Sequence, residues 1–139
     1  MTNDLYKQMN LYTDDTNYLI IKLPPTGITV AAGVLAEIGD PFGTIVVDKD
    51  EVTLIIPADV VEDFSKRLRD VEKSSSTYRL ITFDIILDFS VVGFMAGISK
   101  ALADAKISIL PIAAFSRDHI LVKSADFDTA WGVLSALKS

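Results

Sequence analysis

An α+β fold, in which antiparallel sheet is covered on one side by helices, is what this sequence predicts. Three observations point to it. Short segments rich in Ile, Val, Tyr and Thr, which suit strands, alternate with segments whose apolar residues recur every three or four positions, as on one face of a helix. The order of these segments, strand–helix–strand–strand–helix, occurs twice along the 139 residues. Half of the residues are hydrophobic and the mean hydropathy is +0.36, which implies strands buried on both faces or a surface covered by another chain.

The repetition is visible residue by residue. "YLIIKL" at Tyr18 is answered by "YRLITF" at Tyr78, and "AAGVLAEI" around Gly33 by "VVGFMAGI" around Gly93, both 60 positions on. Farther along, Asp59 and Phe64 of "EVTLIIPADVVEDF" correspond to Asp126 and Trp131 of "DHILVKSADFDTAW", both 67 positions on. The rise from 60 to 67 predicts seven extra residues in the second half. Placed in "SKALADA", they would lengthen that helix by about two turns at 3.6 residues per turn. The halves divide as residues 1–72 and 78–139, a duplication of one small unit.

The elements follow in chain order. Leu5–Leu11 is a candidate additional strand, and Asn17–Leu23 is the first strand of the repeat. "PPTG" is a loop, Val30–Ile38 a short helix and "GDPFG" a turn. Thr44–Val47 and Val52–Ile56 form a hairpin across "DKDE". Asp59 and Glu62 stand at capping-box spacing and open a helix that runs to Val71. "EKSSST", residues 72–77, is a polar linker. In the second half Tyr78–Ile86 is a strand. Ser90–Ala105 reads as a helix with Val91, Phe94, Met95, Ile98, Ala101, Leu102 and Ala105 on one face, capped by Asp88 or Ser90. Ile107–Phe115 is the next strand, and Pro111 within it marks an edge or a bulge. "FSRD" is a turn, His119–Lys123 the returning partner, and Phe127–Leu137 the closing helix, capped by Ser124 or Asp126. Two ferredoxin-like βαββαβ units need eight strands, and this reading finds seven. The second half lacks its final strand, which the N-terminal strand could supply by pairing across the molecule.

Several function classes are excluded or disfavoured. The chain has no Cys, so it offers no thiolate metal site, thiol nucleophile or disulfide. With one His as well, a metal site would need carboxylates alone, and "DKDE" and "TDDTN" read better as solvated turns; no metal and no cofactor are expected. The net charge of −6 opposes a phosphate-binding surface, and the strands "ISILPIAAF" and "HILVK" lack the aromatic and basic pattern of RNA-binding sheets, so no nucleic acid is expected. No apolar run approaches the roughly 20 residues of a spanning helix. "MTNDLYKQMN" lacks the basic and apolar regions of a signal peptide, so no membrane partner is expected and the cytoplasm is the expected compartment. No nucleotide-binding glycine pattern appears. His119 alternates with Leu121 and Lys123 in its strand and reads as a surface or interface residue rather than a base.

Over Tyr78 to Leu137 the residues resemble a family. Asp88-Phe89, Gly93, "LADAKIS" and "DHILVK", with His119 in an aromatic slot, are similar to the ACT domain, a small βαββαβ regulatory module. They look most like the tandem ACT group that includes cytosolic arginine sensors and uncharacterised bacterial proteins. Over residues 17–71 the resemblance rests on the order of elements and on the repeat. One departure stands out. Where the family usually shows Ser-Thr-aromatic-Asp-Thr, this chain has Ala113, Ala114, Phe115, Ser116 and Arg117.

The resemblance implies two ACT-like units, a non-catalytic role, and an amino acid or similar metabolite bound at a domain interface. The site it implies comprises Phe89, Ser90, Val91, Val92 and Gly93 at the start of the helix, with Phe115, Ser116 and Asp118 on the facing hairpin. From the residues alone, two readings of Gly93 stand side by side: a packing glycine, or a missing side chain that lets a carboxylate approach the free N–H groups of the helix start. Gly97 reads as packing. Asp118 is either a turn residue or the acceptor of a ligand ammonium. The alternative function is a ligand-free protein–protein interaction module. Apolar residues on both faces of Ile107–Phe115 predict a homodimer or close packing of the two halves.

Overall fold

Four α-helices and eight strands are present among residues 2–39 and 42–139, which are those the computed structural model describes. In chain order they are α1 (Thr2–Gln8), β1 (Asn10–Tyr12), β2 (Tyr18–Leu23), α2 (Ile28–Ile38), β3 (Thr44–Val47), β4 (Val52–Pro57), β5 (Glu72–Lys73), β6 (Tyr78–Asp84), α3 (Phe94–Asp104), β7 (Ile109–Ala113), β8 (Asp118–Lys123) and α4 (Phe127–Leu137). Single 3-10 stretches occupy Pro25–Gly27, Ala58–Phe64 and Ser124–Asp126. The turn expected at "GDPFG" includes Asp40 and Pro41, which lie outside the described residues. The chain divides into two compact units. One is Thr16–Thr77; the other is Tyr78–Ser139 joined by the N-terminal segment up to Asp15.

In the unit built on Tyr78–Ser139 all strand pairs are antiparallel. Thr82 of β6 faces Tyr12 of β1 on one side and His119 of β8 on the other, and β7 pairs with the far side of β8. The spatial order is therefore β1-β6-β8-β7. The two-residue period of a strand sends Ile81 and Phe83 of β6, with Ile120 and Val122 of β8, to one core with Ile98 and Leu102 of α3 and Ala130 and Leu134 of α4. Leu80 and Leu121, on the opposite face, are buried as well. Pro111 sits in β7, which pairs only with β8 among the described strands, so its missing N–H costs no ladder bond on the free side.

The N-terminal segment differs from expectation. Only Asn10–Tyr12 is strand, and it supplies the missing strand of this unit by pairing with β6. The preceding residues are helical because Leu5 and Met9 are one turn apart and pack on the same core: Met9 N donates to Leu5 O at 2.9 Å, Met9 is fully buried, and Tyr6 Oη donates to Phe94 O at 2.8 Å.

In the Thr16–Thr77 unit, Ile21 of β2 faces Leu54 of β4 on one side and Lys73 of β5 on the other, and β3 flanks β4. The order is β5-β2-β4-β3. Ile21, Leu23, Val52, Leu54 and Ile56 form its core with Ala31, Val34, Val61 and Leu68. Two expectations fail here. The helix expected from Asp59 to Val71 is a 3-10 stretch, Ala58–Phe64, followed by turns, with no side-chain cap. The β-branched pair Val60–Val61 and the acids Asp59 and Asp63 are poor formers of an α-helix interior, and burial of Val61 holds the tighter turn. The polar linker begins with a strand: Ser74 N donates to Ile20 O at 2.8 Å and Ser74 Oγ accepts from Ile20 N at 3.1 Å, fastening β5 to β2.

The second helix of the repeat is not longer than the first. α2 and α3 are each 11 residues. Their first residues, Ile28 and Phe94, are already 66 apart, so the extra residues lie before α3, in the stretch 85–93. Gly33 and Gly93 are therefore not counterparts; Gly33 lies inside α2, whereas Gly93 precedes α3 with φ 87°. None of the expected side-chain caps forms on α3 or α4.

Candidate functional site

The stretch 85–93 is a folded loop held at both ends. Asp88 organises it: its Oδ1 accepts both the backbone N–H and the hydroxyl of Ser90 at 2.8 Å, and Val91 N donates to Asp88 O at 3.0 Å. These bonds hold the Asp88 carboxyl below its ordinary pKa, the backbone N–H contributing most. Opposite, Ala114 N donates to Arg117 O at 2.9 Å and closes the β7–β8 turn. Three contacts fix the hairpin, two to the loop and one, through Asp84, to the end of β6. Leu87 N donates to Ser116 O at 2.7 Å, Arg117 Nε donates to Asp84 Oδ1 at 2.8 Å, and the rings of Phe89 and Phe115 meet edge to face at 4.9 Å.

Between this loop, the start of α3 and the hairpin lies a cleft of about 350 Å³. Phe89, Val91, Gly93, Phe115, Ser116 and Asp118 line it, so the structure brings together six of the eight residues singled out in the sequence. Ser90 and Val92 stand outside the lining. The Ser90 hydroxyl is turned onto Asp88, and Val92 points to solvent at 85 % exposure. Sequence reasoning missed Leu87, Met95 and Arg117 as lining residues. It noted Ala113–Arg117 as a departure from a familiar run, and that run forms one wall.

The structure adds a backbone reason for Gly93 to the two readings offered by the sequence. Its φ of 87° is left-handed, a conformation glycine adopts without steric cost, and it turns the loop into α3. The first-turn N–H groups of Phe94, Met95 and Ala96 have no partner within the helix, no side chain caps them, and all three residues line the cleft. Gly97 is a packing glycine, as its position suggested: a Cβ there would run into the Tyr6 hydroxyl.

Asp118 is the chemically distinctive member. It is half-buried, and among the described residues its carboxylate makes no hydrogen bond or ion pair. Burial pushes its pKa up, partly offset by His119. His119 is held down chiefly by burial, with Asp118 opposing and Arg117 adding to the effect. Its Nδ1 lies 2.8 Å from the hydroxyl of the buried Thr82. His119 is therefore a half-buried, hydrogen-bonded sheet residue.

A second cleft, in the Thr16–Thr77 unit, is larger at about 440 Å³ and carries Glu37, Asp59 and Asp63. All three are exposed and Glu37 is paired with Arg67 at 2.6 Å, so size alone does not make it the better site. Among the described residues, no group of three or more His, Asp or Glu side chains is arranged to hold a metal ion, and no helix is long and apolar enough to cross a membrane.

Residues 73–136 match the ACT domain. No curated protein matches the chain. Among solved structures, a Vibrio cholerae protein of unknown function, described as a possible transport protein, superposes with a TM-score of 0.76 at 20 % identity, covering 99 % of this chain and 95 % of that one. An Agobacterium tumefaciens protein gives 0.73 at 21 % identity, covering 94 % and 89 %. The ligand-free regulatory subunit of aspartate kinase from Thermus thermophilus gives 0.69 at 12 % identity, covering 94 % and 98 %. At these identities the likeness is one of fold.

Proposed function

We propose that the chain is a tandem ACT-type regulatory protein, without catalytic activity of its own, that senses an amino acid or similar small metabolite in the cleft beside α3. The observation that carries this reading is Asp118: a half-buried carboxylate that makes no hydrogen bond or ion pair among the described residues, facing a cleft. A group of that kind calls for a cation or a strong donor, because a buried charge without one is costly. A ligand ammonium supplies it. The free N–H groups at the start of α3 suit the ligand carboxylate. The tandem reading is supported by the shared strand orders, β5-β2-β4-β3 and β1-β6-β8-β7, and suits the tandem ACT group the sequence resembles. The cytoplasm is the compartment such a sensor would occupy.

The test is a thermal-shift screen of the purified protein against free amino acids. A ligand that binds only the folded state at a hundredfold excess over its Kd adds about 2.7 kcal/mol of stability, several degrees in the melting midpoint for a chain of this size. At least one amino acid should produce this shift at millimolar concentration, and Asp118→Asn should abolish it without lowering the unliganded midpoint. Gly93→Val cannot serve as the second variant, since φ 87° strains any side chain there.

One observation favours an interaction surface in addition. Ile86 and Val92 are 71 % and 85 % exposed yet lie outside the cleft lining, so a ligand would not cover them. A second copy of the chain would. The homodimer reading, drawn from the apolar faces of Ile107–Phe115, gains these two exposed residues as part of the surface it would cover, apart from the cleft aromatics.

A further inference from the structure

We infer that the ligand of this cleft carries the ammonium and carboxylate of an amino acid and an uncharged, apolar side chain, as leucine, isoleucine, valine, methionine and phenylalanine do. The inference rests on the amino-acid reading of the cleft and narrows it to a side-chain class. Three charged residues line the cleft: Asp88, Arg117 and Asp118. Two are already engaged. Asp88 binds the N–H and hydroxyl of Ser90, and Arg117 is paired with Asp84. Of the three, only Asp118 makes no hydrogen bond or ion pair among the described residues, and it accommodates the ligand ammonium. The apolar walls include Phe89, Val91, Met95, Ala113 and Phe115. A ligand with a charged side chain would set that charge against these groups, or would have to compete with Ser90 for Asp88 or with Asp84 for Arg117.

Two further observations agree. Phe89 and Phe115 are 77 % and 79 % exposed, although they pair with each other at 4.9 Å. Large apolar rings held in fixed geometry at the mouth of a cleft are the surface an apolar side chain covers. The volume, about 350 Å³, is near the lower end of the roughly 300–1,000 Å³ typical of ligand pockets, which suits a single amino acid.

Isothermal titration calorimetry on the full chain tests the class, with leucine, methionine and phenylalanine set against lysine, arginine, glutamate and N-acetyl-leucine. The apolar amino acids should bind at least tenfold more tightly than lysine, arginine or glutamate. N-acetyl-leucine, which lacks the ammonium, should not bind. Phe115→Ser should weaken leucine binding about tenfold, the scale expected when an apolar side chain loses its cover, while leaving the far-UV circular dichroism unchanged. Lysine, arginine or glutamate binding as tightly as leucine would overturn the side-chain class and leave the amino-acid site standing. Unchanged leucine binding by Phe115→Ser would overturn the aromatic wall. Equal binding of N-acetyl-leucine would overturn the ammonium contact. If no amino acid binds, the class and the reading beneath it both fall.

Discussion

Gly97 and Tyr6 define the tightest test at the scale of single residues. The Tyr6 hydroxyl occupies the space a side chain at position 97 would need while it donates to Phe94 O. Gly97→Ala should therefore destabilise the fold by about 1–3 kcal/mol, as overpacking does, even though alanine is the better helix former. In Tyr6→Leu the same change should cost less, and a double-mutant cycle in urea would measure the difference; equal costs in both backgrounds would disprove the contact. Lys106 offers the opposite sign. α3 ends in a Schellman arrangement, with Ile107 N donating to Leu102 O and Lys106 N to Ala103 O, both at 2.9 Å. Lys106 takes the left-handed position, φ 62°, where glycine is usual. Lys106→Gly should stabilise by about 0.5–1 kcal/mol, read from the urea midpoint. The titrating pair gives a pH dependence. His119 is depressed, so its contribution is present above the ordinary histidine value of about 6.5 and is lost as pH falls through the lower folded value. Asp118 is raised, so its effect runs the other way: protonation in the acid range favours the fold. The melting midpoint should fall on acidification below about pH 6.5, and His119→Gln should flatten that fall. Ligand binding should be lost at a pH above the ordinary aspartate value of about 3.9, because the ammonium contact needs the ionised form.

At the scale of elements, β1 is the most informative. Three residues, Asn10–Tyr12, complete the sheet of the second unit along β6, and Met9 and Tyr6 before them reach its core. Removing residues 1–12 should leave β6 with an open edge and the core without these side chains. Hydrogen exchange should then show loss of protection at Thr82 and Asp84, which face β1. Met9→Ala alone should cost about 2–4 kcal/mol, the usual range for emptying a fully buried site. A truncated chain with unchanged protection of β6 would rule out the pairing. The same scale explains the loop at 85–93. Its internal bonds from Asp88 and its ties to the hairpin at Ser116 and Phe115 make it a structured wall rather than slack chain.

For the whole molecule the governing features are charge and uncovered apolar surface. A net charge of −6 sets the chain against polyanions and leaves apolar contact as the route to self-association. Light scattering at micromolar concentration should give a particle of twice the 15.2 kDa chain mass. Val92→Lys should return it to the single-chain mass, and Phe115→Ser should not. A single-chain particle for the unaltered protein would end the homodimer reading.

Periodicity alone determined most strands and the closing helix, because strand alternation and helix spacing are local patterns. The grouping of Phe89, Gly93, Phe115 and Asp118 followed from the resemblance to the ACT domain. Other features depended on partners distant in sequence. Whether residues 2–8 coil or extend was decided by Phe94, 88 positions from Tyr6. Whether "EK" of the linker is strand was decided by Ile21 and Lys22. The register of the repeat slipped because its extra residues entered a loop, where length is tolerated, and not a helix, where it would have moved every core contact. Composition showed which side chains were available to the cleft. Tertiary structure alone left the Asp118 carboxylate with no hydrogen bond or ion pair among the described residues, because a charge is paired only by what the fold brings beside it.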